Sequence, residues 1–482
     1  MIFYGDFRGM NEAISFVNNI VWNYVLVYIL LGVGIFFTFR LRFIQILYFW
    51  EMWRGLRAKT GDPKGISPFQ ALAISLASRV GTGNIAGVAL ALYLGGPGTV
   101  FWMWIVALLG MATAHAENTL AQLYKVHGTD GRYRGGPAFY IARGLNAPRA
   151  AILFSLCLVL NFGLIFNAVQ ANSIADVMKG ALDIPKVTTA VVVVVLVALS
   201  VFGGLRNIVK VVQVVMPMMS LAYFGLAVGI IVANYAILPD LVSDIVSSAF
   251  GLREVAGGVA GSMAAAVMNG VKRGFFSNEA GMGSAPNIAA VARPVPHHPA
   301  SQGLVQSLGV FIDTILICTA TAIIILLSGV LQTDTGVNGV QLTQKALSVH
   351  LGWGGTYFMA VAVFCFAFAA ILGNYTYAEN AMNYLGAKSR FSRTLLRCLV
   401  LVATLWGATS SVEMVFAVAD ITMGMMSVIN LGALILLSDA VIKVTYDYFH
   451  QRKVSAAPEF HLERLPEIRG TVDHTIWSPQ RA

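Results

Sequence analysis

The sequence predicts an all-α integral membrane protein of eleven transmembrane helices, built as a five-plus-five inverted repeat with two broken helices. Three observations lead there. Of 482 residues, 57% are hydrophobic and 11% charged, whereas a soluble globular chain carries about 45–50% and about 25%. Apolar runs of about 20 residues, enough to cross a bilayer, recur along almost the whole chain. Two of those runs are interrupted at their middles by glycine and polar residues. A charge density this low excludes a disordered chain, a nucleic-acid-binding domain and an ordinary cytosolic enzyme.

In order, span 1 covers 17–39, span 2 67–94 and span 3 98–124. Spans 4, 5 and 6 cover 149–178, 187–203 and 208–235. Spans 7, 8 and 9 cover 257–292, 303–331 and 355–382, and spans 10 and 11 cover 395–408 and 414–448. The shorter amphipathic stretches 241–250 and 340–350 are expected at the surface between spans. Segment 1–66 carries span 1 as an extra helix. Segments 67–235 and 236–449 are the two repeats, and 450–482, polar and proline-bearing, reads as a flexible cytoplasmic tail. The first residues carry Asp6, Arg8 and Glu12 and do not read as a cleavable signal peptide.

The basic residues orient these spans. With the N-terminus outside, the inner segments hold 24 of the 32 Lys and Arg and the outer segments hold 5. Basic residues favour the cytoplasmic side. The expected topology is therefore a multi-pass membrane protein with its N-terminus outside and its C-terminus in the cytoplasm. The net charge of +9 is mostly a topological signal rather than the mark of an anionic partner. Cys157, Cys318, Cys365 and Cys398 all lie in apolar runs without a C-x-x-C pair, so they read as packing residues and not as a zinc site.

The remaining three basic residues, Arg79, Lys272 and Arg273, fall inside spans 2 and 7. Span 2 carries Gly81-Thr82-Gly83-Asn84-Ile85-Ala86-Gly87 at its middle; span 7 carries Phe276-Ser277-Asn278-Glu279-Ala280-Gly281-Met282-Gly283-Ser284-Ala285-Pro286. Glycine weakens a helix and proline removes a donor. Such breaks are tolerated in a bilayer only where they are buried in protein or line a wet cavity. Span 2 runs outward and span 7, five helices later, runs inward. Paired interruptions in two inverted halves point to a transporter's binding site. There, helix N-termini suit a substrate carboxylate and freed carbonyls suit a cation. Taken alone, Gly83-x-x-x-Gly87 would fit simple helix packing.

Other chemistries lack their motifs. The sequence holds no H-E-x-x-H and no G-x-x-x-x-G-K-[ST], so neither a zinc protease nor ATP-driven pumping is read. His115-Ala116-Glu117 matches the H-x-E of zinc deaminases, but the partner P-C-x-x-C is missing. A channel is the weaker alternative, since inverted repeats with broken helices fit alternating access.

At the two broken segments the chain resembles the alanine/glycine:cation symporter family. The resemblance extends through Gly65-Ile66-Ser67-Pro68-Phe69-Gln70, Gly95-Gly96-Pro97-Gly98, Phe101-Trp102-Met103-Trp104, Gly110-Met111-Ala112-Thr113 and Arg134-Gly135-Gly136-Pro137-Ala138, and covers about residues 17–450. It implies the leucine-transporter-type fold and sodium-driven import of small neutral amino acids, with alanine and glycine first and D-alanine or serine as further candidates. Sodium is then the coupling ion, with no other cofactor, no ATP and no nucleic acid. Coupling to protons on the same fold is the alternative.

The resemblance also assigns roles. Thr82 and Gly83 would offer backbone amides to the substrate carboxylate. Asn84 would face the ion or cap the half-helix. Ala77, Val80 and Ala370 would offer carbonyls to sodium. Phe276 would wall the substrate methyl, and Ser277 and Asn278 would meet its amino group or steady the unwound backbone. Gln170 would contact substrate or hydrogen-bond between helices. Glu279 is expected to pair with Arg273 or Lys272, and Arg79 to pair with a carboxylate as a gate. As charges within spans, Asp176 reads as interfacial, and Asp313 and Asp420 read as structural hydrogen bonders first, with ion coupling as the lesser alternative. In span 9 the chain departs from the pattern. Ala369 and Ala370 stand where many members carry a hydroxyl, and Asn374 stands where they carry an aromatic. Hard cations want oxygen ligands, so the departure bears on ion identity, while Asn374 would make the pocket more polar.

Overall fold

The computed structural model describes residues 16–56, 65–128, 131–203, 205–251, 261–333, 336–468 and 470–477. Its helices, in chain order, begin with α1 (Phe16–Arg40), α2 (Phe49–Leu56), α3 (Pro68–Arg79), α4 (Ala86–Gly95), α5 (Gly98–Leu123) and α6 (Pro137–Gly144). They continue with α7 (Pro148–Leu182), α8 (Lys186–Gly203), α9 (Leu205–Ala233), α10 (Leu238–Ala249) and α11 (Gly261–Asn278). The remainder are α12 (Pro299–Ser328), α13 (Gly339–Leu351), α14 (Trp353–Tyr384), α15 (Arg390–Thr409), α16 (Val412–Leu436) and α17 (Ser438–Arg452).

Among the described residues, eight helices are long and apolar enough to cross a membrane: α1, α5, α7, α8, α12, α14, α15 and α16. A ninth candidate joins Pro217–Ala233 to Tyr235–Ala249 across a 76° bend. The difference from eleven runs has a physical source. Spans 2 and 7 are each divided into pieces too short or too polar to qualify alone. The expected surface stretches near 241–250 and 340–350 are the separate helices α10 and α13.

Span 11 needs correction. The helix does not continue to residue 448 but stops at Leu437 (φ −101°, ψ 9°). The following helix carries Asp439, Lys443, Asp447 and Arg452, a polarity that a continuous membrane helix would not bear. Beyond Arg452 the chain, expected as a flexible extension, lies against the bundle with Phe460, Val472, Ile476 and Trp477 buried.

Local sequence explains where the elements start. Ser67 caps α3: its hydroxyl accepts from the Gln70 amide at 3.1 Å, and the Gln70 side chain accepts from the Ser67 amide at 3.0 Å. Pro68 fills the first turn. Such a cap stabilises a helix by about 1 kcal/mol. α12 begins at Pro299 after His298, whose Nδ1 accepts from the Ala300 amide at 3.2 Å.

α5 lies at the centre and packs against α11 and α12, while α7 packs against α14 and α15. The broken element α3–α4 touches both groups, through α14 on one side and α11 on the other. α8 and α15 keep many apolar side chains at the periphery, such as Val191, Val195, Leu199 and Val402. Large exposed apolar area is unusual for a soluble surface and suits a lipid-facing one.

Candidate functional site

Both sequence interruptions are breaks in the structure. α3 ends at Arg79, and Val80 leaves the helix with φ −72° and ψ 86°. Gly81 is extended (φ −141°, ψ −142°), Thr82–Asn84 form one tight turn, and helix resumes at Ala86. The second break follows Asn278. Glu279, Gly281 and Gly283 take positive φ of 55°, 84° and 87°, and a short turn resumes at Pro286. Glycine supplies two of these left-handed positions without steric cost. Glu279 adopts the third with its carboxylate held by the Ser284 hydroxyl.

The two breaks face each other. A Cβ added at Gly83 would lie 3.2 Å from Phe276 Cδ1 and 3.3 Å from Ser277 Cα. One polar cluster joins them. The Asn84 amide nitrogen lies 3.0 Å from Ser277 Oγ, 2.7 Å from Asp313 Oδ1 and 3.0 Å from the Asp313 carbonyl. Ser277 donates to Asp313 Oδ2 at 2.6 Å, and Thr314 donates to the same oxygen at 2.9 Å. Asp313 sits in a widened π-helical stretch of α12, Phe311–Cys318, a deviation often found at functional sites. The carboxylate is fully buried and is held by these neutral donors.

Gln170 of α7 closes the other side of the first break. Its Oε1 accepts from the Thr82 amide at 3.1 Å, so a side-chain carbonyl oxygen takes up this amide of the break. The Gly81 amide donates to Asn84 Oδ1 at 3.2 Å, which makes Asn84 a brace of the break as well as a member of the polar cluster. Phe276 is stacked on Phe166 with centroids 4.8 Å apart and lies 5.4 Å from Phe416. Thr82, Asn84, Gln170, Phe276 and Ser277 are all buried. The site is closed to solvent.

Some residues named from sequence lie elsewhere. Asn278 accepts from the Ala280 amide at 3.0 Å and lines a small cavity with Leu30, Gly110 and Thr113. It is not part of the Asn84–Ser277–Asp313 cluster. Asn374 accepts from Ser78 at 2.5 Å and donates to Asn167 at 3.1 Å, tying α14 to α3 and α7. Ala77, Val80 and Ala370 are buried on this same α3–α14 seam, where Gly373 packs directly on Ser78.

The charges pair differently from the expectation. Arg273 and Lys272 bind Asp420 of α16, at 2.9 Å and 2.7 Å, and leave Glu279 to Ser284. Asp420 thus hydrogen-bonds as expected, and its partners are charged. Asp176 pairs with Lys186. Arg79 is buried beside Gly309, and no hydrogen bond joins its guanidinium to any of the described residues. The carboxylate partner expected for it is not engaged. Glu117 accepts from the Gly283 amide and from Asn430, both at 3.1 Å, and so fastens the second break to α5 and α16. Sequence reading named Asp313, as a structural hydrogen bonder first, and passed over Asn430. The signal for Asp313 was present, an acid in the middle of an apolar span. Asn430 carried none.

The model of the sodium:alanine symporter family matches residues 7–462. The chain is similar to the amino-acid carrier protein AlsT of Bacillus subtilis, 46% identical over 460 residues, covering 95% of this chain and 96% of that protein. It is 42% identical over 463 residues to the probable sodium/glutamine symporter GlnT of the same organism, covering 96% and 95%. The sodium/alanine symporter AgcS of Methanococcus maripaludis is 36% identical over 456 residues, covering 92% and 98%. This chain belongs to the sodium:alanine symporter family, a family of transporters and not of enzymes.

Proposed function

We propose that the protein imports small neutral amino acids, alanine and glycine foremost, driven by the sodium gradient across the plasma membrane. The observation that carries this reading is the pair of facing breaks joined by Asn84, Ser277 and Asp313. A substrate carboxylate would take the Thr82 and Gly83 amides once Gln170 releases the first of them. Phe276, backed by Phe166 and Phe416, would pack on a methyl group and leave little room for a large side chain. The departures at Ala369, Ala370 and Asn374 turn attention to Asp313 as the side-chain oxygen source for a cation, with the carbonyls of Ala77, Val80 and Ala370 as further donors. Proton coupling is the second reading, because the same buried carboxylate, whose hydrogen bonds from Asn84, Ser277 and Thr314 all come from neutral groups, can be neutralised by a proton as well as by sodium.

Eleven crossings in two inverted repeats, 67–235 and 236–449, would let one group of helices rock against the other around this midplane site. The excess of basic residues supports an outer N-terminus and a cytoplasmic C-terminus. Ion and amino acid must then raise each other's affinity by the same factor. The test is thermal stabilisation of the purified protein by L-alanine, glycine and L-glutamine, in sodium chloride and in choline chloride. The reading expects alanine and glycine to stabilise far more in sodium. Equal stabilisation in both salts would contradict it.

A further inference from the structure

We propose that the C-terminal segment 455–477 is an intramolecular strap that locks the two broken helices together at one end and has to lift before the site opens there. This rests on the alternating-access reading above, with the tail on the cytoplasmic side.

The lock begins in the backbone. The chain entering α3 runs beside the chain leaving the second break as a parallel bridge, Ile66 to Ala292. The Arg293 amide donates to the Ile66 carbonyl at 3.0 Å, and the Ile66 amide to Val291 at 3.3 Å. The central helix reinforces it. Gln122 donates to the Ala289 carbonyl and, at 2.9 Å, to the Ala292 carbonyl. Lys125 donates to the Ala292 carbonyl at 3.2 Å and to Gln122 at 2.7 Å. Both breaks are therefore tied together, and to α5, at this end.

The tail sits on that lock. Trp477 covers the fully buried Lys125, whose Nζ lies 5.0 Å from one ring of the indole and 4.3 Å from Tyr133. Burying an ammonium is costly unless it is paired or held by π-faces and carbonyls, so Trp477 is part of what keeps Lys125 in place. The loop after the second break is gripped as well. His297 packs against Trp477 at 4.9 Å, its Nε2 donates to the Ile476 carbonyl at 3.0 Å, and its own carbonyl accepts from the Phe460 amide at 3.0 Å. A second grip holds the last turn of α6: the Thr471 amide donates to the Arg143 carbonyl at 3.0 Å, and Arg143 Nε donates to the Thr471 carbonyl at 2.8 Å. Phe460, Val472, Ile476 and Trp477 are buried by this docking.

One segment thus spans the loop leaving the second break and the last turn of α6. Parting of the two breaks at this end would split the Ile66–Ala292 bridge and shift Ala292, whose carbonyl holds the Lys125 ammonium under Trp477, so the strap cannot stay seated on an opened end. A docked tail favours closure, and by linkage closure favours docking.

Amide hydrogen exchange by mass spectrometry tests this on the full-length protein in lipid nanodiscs, against Trp477→Ala and a chain ended after Lys453. Uptake of labelled alanine into proteoliposomes is measured on the same three proteins. The expected result is roughly ten-fold faster exchange at 65–67 and 291–298 in both altered proteins, about 1.4 kcal/mol of lost closure, with exchange in α16 unchanged. Unchanged exchange at 65–67 and 291–298 in Trp477→Ala overturns the strap, whether or not the shortened chain folds. Faster exchange without uptake in any of the three leaves the strap standing and removes the transport reading instead.

Discussion

Arg273 grips Asp420 with both ends of its guanidinium, at 3.1 and 2.9 Å, while the same guanidinium lies 5.1 Å from the Phe416 ring and 5.7 Å from Phe276. A charged clasp between α11 and α16 therefore rests directly on the aromatic wall of the site. Lys272 joins it at 2.7 Å and lies over Trp22 of α1. The clasp is almost wholly buried. Removing one partner of a buried pair leaves the other charge unpaired, at a cost of about 3–5 kcal/mol. Asp420→Asn is expected to lower the melting temperature in detergent markedly, because it strands both Arg273 and Lys272. A melting temperature equal to that of the unaltered protein would show that the clasp contributes nothing.

Gly83→Ala tests the close approach of the two breaks. The new methyl would meet Phe276 and the Ser277 backbone at 3.2–3.3 Å, and backbone can yield little. Alanine binding is expected to be lost, with folded protein still recovered by size-exclusion chromatography. Normal alanine binding would refute the backbone cradle.

Asp313→Asn keeps the shape of the polar cluster and removes its charge. If this carboxylate serves the coupling cation, the sodium half-saturation should rise by about ten-fold or more, the order of one lost charge-assisted ligand. An unchanged sodium half-saturation in uptake assays would return Asp313 to a purely structural role.

Acidity should loosen the tail. Burial, with Lys125 and then Arg293 and His298 nearby, pushes His297 down to about 4, against the pull of its hydrogen bond to Ile476. Its Nδ1 is buried and has no hydrogen-bond partner among the described residues, so a proton there would meet no acceptor among them. A released strap restores the ordinary value near 6.5. Between those values only the released form takes up the proton, so docking is complete above about 6.5 and weakens as pH falls towards 4. Exchange at 291–298 should therefore speed up about ten-fold from pH 7.5 to 5.5, after correction for intrinsic rates. His297→Gln should flatten that dependence. A persistent pH response in His297→Gln would place the titration elsewhere.

Much of this was legible in the sequence for a simple reason. Glycine, proline and charge are so out of place in a membrane helix that spans 2 and 7 announced their breaks, and with them Thr82, Gly83, Asn84 and Ser277. The family resemblance added Gln170, and the structure places its oxygen on the Thr82 amide. Pairings between distant segments were not legible. Nothing in the order of residues says that Arg273 turns to Asp420, 147 positions away, instead of to Glu279. Nor could spacing show that Asn374 bridges Ser78 and Asn167, or that Asn278 turns toward Gly110. The end of span 11 was misread because Leu437 and its neighbours are apolar enough to continue a helix. The tail was read from its polarity, which hides the few aromatic anchors that dock it.

The most direct test of the account is uptake of labelled alanine into proteoliposomes under an imposed inward sodium gradient, an inward proton gradient, or neither. Sodium coupling predicts accumulation above equilibrium that follows the sodium gradient and collapses when sodium is equal on both sides. Uptake that ignores both gradients would contradict it.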